Sequence, residues 1–138
     1  MKIFTIFTII WIAFQVSGQK ISKSDLFGCW TDSREENSQG SHIFIFRPCD
    51  YKAFPPSRYR YKMDLKGSSI CSWLVLAAND GHYMEDGTWT FNEETNELKL
   101  YNTEGKEFWK IIVVEVNDTI LRIKKLSTTS TQPQQSQH

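Results

Sequence analysis

Glu107-Phe108-Trp109-Lys110-Ile111-Ile112-Val113-Val114-Glu115-Val116-Asn117-Asp118-Thr119-Ile120-Leu121-Arg122-Ile123-Lys124-Lys125 is the stretch that decides how this chain folds. Two runs rich in β-branched and aromatic residues, 107–116 and 119–125, flank Asn117-Asp118. That order reads as two antiparallel strands joined by a tight turn.

Toward the N-terminus the same pattern repeats. Runs at 27–32, 42–47, 58–65, 70–77, 87–91 and 97–101 alternate with Gly, Asn, Asp and Pro, and the turns at 66–69, 92–96 and 102–105 have suitable composition. No stretch sustains helical periodicity. Short connections make consecutive strands adjacent and antiparallel, and eight such strands lose their exposed edges by closing. The sequence therefore predicts an all-β, eight-stranded antiparallel up-and-down barrel. A barrel of that size is either filled by its own side chains or holds one small ligand.

The two ends of the chain read differently. Lys2, the apolar run from Ile3 to Phe14 and the small residues Val16-Ser17-Gly18 have the order of a secretory signal peptide, with cleavage after Gly18. The run is short for a membrane span, which needs about 20 apolar residues. Residues 127–138, rich in Ser, Thr and Gln, have nothing to bury and read as a disordered tail. One barrel domain over 19–126 is left, destined for an extracellular location. Removing 1–18 takes Lys2 from the 16 Lys plus Arg and none of the 16 Asp plus Glu, a net charge of −1. Such a balance supplies no field for gripping nucleic acid.

An oxidising compartment makes a disulfide the expectation for Cys29, Cys49 and Cys71. Cys29 and Cys49 fall at the same end of neighbouring strands, whereas Cys49–Cys71 requires the loop between them to fold back up the wall. Both pairings are open. The third thiol is either buried or available for a covalent link to a partner. No C-x-x-C spacing exists, and neither His42 nor His82 has a second ligand at metal spacing, so no metal or cofactor is expected. Asn117-Asp118-Thr119 is an N-glycosylation sequon in a turn.

Gly28-Cys29-Trp30 in the first strand and Arg122 in the last resemble the lipocalin pattern. That resemblance implies that Trp30 plugs the closed end and Arg122 packs across its ring. Over about Leu26 to Phe91 the chain also resembles a group of small lipocalin-like domains found in bacteria and invertebrates. The motifs that carry it are Trp30-Thr31-Asp32-Ser33-Arg34-Glu35-Glu36, Arg47-Pro48-Cys49-Asp50-Tyr51, Phe54-Pro55-Pro56-Ser57-Arg58, Asn79-Asp80-Gly81-His82 and Gly87-Thr88-Trp89. It implies the barrel and no particular activity.

In a meander, loops 48–57 and 79–86 meet at the closed end, where Arg58 pairs with Asp50 or Asp80 in a hydrogen-bonded plug. Three functions compete. The first is a binder of a small hydrophobic or amphipathic ligand inside the barrel, among Phe44, Phe46, Tyr59, Tyr61, Trp73 and Trp89, with Arg58 and His82 as polar contacts. The second is a protein- or glycan-interaction module with a filled barrel, anchored by Tyr51, Phe54, Pro55 and Pro56. The third, catalysis by an Asp80/His82 pair, lacks a nucleophile at a diagnostic spacing, so no enzyme is expected. Glu35 and Glu36 are adjacent, point to opposite faces of a strand, and read as a solvated rim.

Overall fold

A computed structural model describes residues 18–126. The expected signal peptide, apart from Gly18, and the tail from Ser127 lie outside the described residues. Eight strands form: β1 (Gly28–Asp32), β2 (Ile43–Pro48), β3 (Lys62–Leu65), β4 (Ile70–Leu76), β5 (His82–Asn92), β6 (Glu97–Asn102), β7 (Glu107–Val116) and β8 (Leu121–Lys125). Every pairing is antiparallel and the sheet closes on itself in the order β1-β2-β8-β7-β6-β5-β4-β3. The closed eight-stranded antiparallel barrel is the expected one.

The circular order departs from a plain meander at one place. β1 sits between β2 and β3, pairing Trp30 with both Pro48 and Met63. Adjacency of consecutive strands holds where connections are short, and residues 49–61 form a long, proline-bearing one. This segment starts beside the beginning of β1 and returns to its far end, so it crosses the outer face as a strap. Thr31 and Ser33 point away from the core by strand alternation, yet they are 5% and 0% exposed. The strap covers them. It also explains why the run predicted at 58–65 yields a strand only from Lys62.

Strand alternation places Trp30, Phe46, Met63, Leu65, Cys71, Trp73, Trp89, Leu98, Leu100, Ile111, Val113, Leu121 and Ile123 in one buried core, each 5% exposed or less. One end of the barrel is sealed by the chain before β1. Ile21 and Leu26 are buried there, the Trp30 indole N–H donates to the Leu26 carbonyl at 2.9 Å, and Lys23 donates to Ser69 of the β3–β4 turn at 2.7 Å. Trp89 lies at this closed end, donating to the Lys66 carbonyl at 2.9 Å beneath the Lys23 ammonium, 4.7 Å from the ring centre. The expected packing of Arg122 across Trp30 does not form; the cation over an indole face at this end is Lys23 over Trp89. Arg122 alternates to the outer face of β8 and pairs with Glu115 at 2.9 Å.

The disulfide is Cys29–Cys49, with Cα atoms 5.4 Å apart, and it ties the start of the strap to β1. Cys71 is free and fully buried. Burial pushes its thiol up to about 12, so it is neither nucleophilic nor within reach of a covalent partner.

Candidate functional site at the open end

The inner face of the opposite end is aromatic. Asp32 lies directly across from Phe46 on β2, and its N–H donates to the Tyr61 carbonyl at 2.9 Å, so these three side chains stand side by side on the inside. Trp109 packs against Tyr61 with ring centres 4.9 Å apart and against Phe46 at 6.4 Å. Phe108 meets Trp73 at 4.2 Å. Two consecutive residues of β7 reach the interior because the register with β6 slips between Leu100 and Tyr101. Phe44 completes the ring beneath the Lys125 ammonium, which sits 4.4 Å from its centre.

Phe46 and Trp73 are closed off from solvent, whereas Phe44, Tyr61, Phe108 and Trp109 are only partly buried. They form a partly exposed aromatic layer, termed the cup, over the packed core.

Two polar atoms in this cup have no partner. The Tyr61 hydroxyl and Asp32 Oδ1 are buried without a hydrogen bond. Burial drives the Tyr61 phenol well above its ordinary pKa, so it stays protonated and available as a donor. Burial also raises the Asp32 carboxyl, against the opposing pull of Arg34, Lys125 and Arg60. Asp32 Oδ2 lies 3.4 Å from Arg34 Nε, which leaves Oδ1 as the free acceptor. The cup therefore has aromatic walls with one donor or acceptor at Tyr61 and one acceptor at Asp32 buried among them, which a molecule reaches only when the surrounding rings move apart.

Of the residues singled out in the sequence, Phe44, Phe46, Tyr61 and Trp73 come together here. Trp89 is at the other end. Tyr59 sits on the rim, its hydroxyl donating to the Leu74 carbonyl at 2.8 Å and its ring 6.0 Å from that of His82. Arg58 and Asp80 do pair, at 3.2 Å, but on the open-end exterior, where they are 87% and 67% exposed. The inserted β1 reverses β3 relative to a meander, so loop 79–86 lies opposite the start of the strap rather than beside it. Asp80 is engaged by Arg58 and makes no hydrogen bond to His82 among the described residues.

Reasoning from sequence missed Asp32, Phe108, Trp109 and Lys125. Asp32 was within reach, since it follows Trp30 by two and must share its face.

The Arg-Pro and Phe-Pro-Pro motifs fasten the strap. Arg47 donates to Glu36 at 2.7 and 2.9 Å and to the Thr119 carbonyl at 2.9 Å, and lies over the Tyr51 ring at 4.6 Å. Arg60, not Arg58, holds the other end: it donates to the carbonyls of Asp32 and Pro55, pairs with Glu35 at 2.9 Å and covers Phe54 at 5.1 Å. Ser33 donates to Glu36 at 2.6 Å, and with Arg47 it holds the Glu36 carboxyl down at about 2. Glu35 and Glu36 are thus clasped by this network rather than forming a free rim.

A cleft of about 670 Å³ opens to solvent at the closed end, between Phe27, Asp50 and Asn117. Asn117 stands exposed in the β7–β8 turn, its Oδ1 accepting from the Thr119 N–H and hydroxyl.

The chain matches no protein-family model, no curated protein and no solved structure. Its class is accordingly defined by architecture: a closed eight-stranded antiparallel barrel with one disulfide, one sealed end and one aromatic end.

Proposed function

We propose that this is a secreted, lipocalin-like binding protein. It takes a small, partly apolar molecule bearing a hydrogen-bond donor into the cup at the open end. The observation that carries this reading is the pair of buried, unpartnered polar atoms, Tyr61 Oη and Asp32 Oδ1, among Phe44, Phe46, Phe108 and Trp109. Native proteins leave few buried polar groups unpaired, and apolar sites with a small number of convergent polar groups are how small ligands are held. Lys125, Arg34 and Arg60 surround Asp32, so a neutral hydroxyl or amide donor suits it better than a second cation. The disulfide accords with an oxidising, extracellular location. No helix among the described residues is long and apolar enough to cross a membrane.

A second reading, a protein- or glycan-interaction module without a ligand, is favoured by the filled core beneath the cup and by the strap's exposed Tyr51, Pro55 and Pro56. Native mass spectrometry of the protein from its own secreting source separates the two. An extra mass of roughly a few hundred daltons that leaves on denaturation, and that falls when Trp109 is changed to Ala but not when Phe27 at the closed end is, supports the binder. Polypeptide, disulfide and glycan masses alone sink it and favour the interaction module.

A further inference from the structure

β5 outruns one of its neighbours. It pairs with β4 as far as Leu76↔His82 but with β6 only from Gly87↔Asn102 onward. His82-Tyr83-Met84-Glu85-Asp86 therefore has β4 on one side and, among the described residues, no strand on the other. At about 3.3 Å per residue this free edge is roughly 17 Å long. Tyr83 and Met84 are 51% and 44% exposed. Natural edges are blunted by Lys, Pro, bulges or a covering segment. This edge has no Lys or Pro and no register shift, and its only fixed charges are Glu85, on the inner face by alternation, and Asp86 on the outer face. The other side of the same ribbon is covered, because the Tyr59 hydroxyl occupies the Leu74 carbonyl.

The hydrogen-bonding phase of the edge is fixed. The Ala77 N–H donates to Gly81 at 2.7 Å across the hairpin, and the Trp89 N–H donates to Ser69 at 3.0 Å on the β4 side. Odd-numbered residues of β5 thus turn their backbone groups to β4, and His82, Met84 and Asp86 turn theirs to the open side. A second copy of the same five residues, antiparallel and with Met84 facing Met84, meets this phase at every position. The pairs 82–86, 84–84 and 86–82 are all hydrogen-bonding pairs, about six backbone bonds in total. The same register sets the His82 imidazole opposite the Asp86 carboxylate of the second copy, twice by symmetry. Sliding by one pair of residues loses one bonded pair and sets His82 against Met84.

From this matched phase, charge and register, we infer that the protein forms a two-fold dimer by β5-to-β5 edge pairing over residues 82–86. The interface is isologous and continues the barrel sheet from one copy into the next. This inference does not depend on the ligand reading.

Sedimentation velocity on the full secreted chain with its disulfide intact tests it. A concentration-dependent dimer is expected, and Met84→Pro, which removes an N–H aimed only at the free edge, should raise its dissociation constant roughly 100-fold. Should that variant fail to fold, charge reversal still decides. His82→Asp opposes two carboxylates in its own dimer and Asp86→Lys removes the carboxylate that faces His82, so each should be monomeric alone, yet the two should form a heterodimer when mixed. A wild-type chain that stays monomeric up to about 1 mM overturns the inference. So does a dimer that neither charge reversal weakens.

Discussion

Replacing Tyr61 with Phe should stabilise the ligand-free protein while weakening what it binds. Phe keeps the ring against Trp109 at 4.9 Å and Phe46 at 6.2 Å and removes only the oxygen. That oxygen is buried without a partner. An unsatisfied buried hydroxyl costs about 1–3 kcal/mol, so Tyr61→Phe should gain about 1–2 kcal/mol, raising the thermal midpoint by roughly 5 °C per kcal/mol for a domain of this size. With a ligand seated, the same hydroxyl has a partner and the sign reverses. The occupied fraction should then fall as for a roughly tenfold loss of affinity, the worth of one neutral hydrogen bond. Urea denaturation of stripped protein measures the first effect, and the ligand-bound fraction in native mass spectrometry measures the second. A Tyr61→Phe protein that is less stable by about 1 kcal/mol or more would mean that the hydroxyl already has a partner, and the reasoning for the cup would collapse.

Opening the disulfide with Cys29→Ala and Cys49→Ala releases a loop of sequence separation 20. The loss should be about 3 kcal/mol in urea melts, mostly from the unfolded chain, because the Cys49 N–H still donates to the Cys29 carbonyl at 3.0 Å. Glu36 titrates at about 2 when folded against 4.5 when free, so its contribution is complete above about pH 4.5 and disappears as the pH falls toward 2. Glu36→Gln should flatten that part of the acid limb, and an unchanged acid profile would show that the Arg47 clasp contributes nothing to it. Cys71, held near 12 and fully buried, should resist Ellman's reagent at pH 8 until the protein is unfolded. Rapid labelling of the folded protein would contradict its place in the core.

Strand count and closure are legible because alternation and turn chemistry are local signals, whereas the choice between the two open cysteine pairings is decided only by the fold, which forms Cys29–Cys49. The position of β1 is not legible either. Whether a 13-residue connection runs between neighbouring strands or over one of them depends on what it packs against, here Glu35 and Glu36 clasped by Arg47, Lys52 and Arg60. The site suffered through that same error. A meander's geometry draws Arg58 and His82 to a plug, while Phe108 escapes a sequence reading because a bulge turns it inward beside Trp109, which itself keeps period two with Ile111 and Val113. Asp32 is different: period two from Trp30 puts it inside, and a carboxylate on an inner face is the kind of local contradiction that marks a functional position.

That contradiction separates the two ends of the barrel. At the closed end every buried polar group identified is answered: the Trp30 and Trp89 indoles donate to carbonyls, and Lys23 serves both Ser69 and the Trp89 ring. Along the strap, Ser33, Glu36 and Arg47 satisfy one another. Both unanswered buried atoms among the described residues, Tyr61 Oη and Asp32 Oδ1, are at the open end. Asp32 has three cations near it and is still dominated by desolvation. A hydrophobic pair at these positions would seal this end as Leu26 and Ile21 seal the other, and would relieve the cost of burying polar atoms unpaired. The sequence instead keeps a phenol and a carboxylate among aromatic rings, an arrangement that costs stability in the ligand-free protein and that the proposed binding would offset.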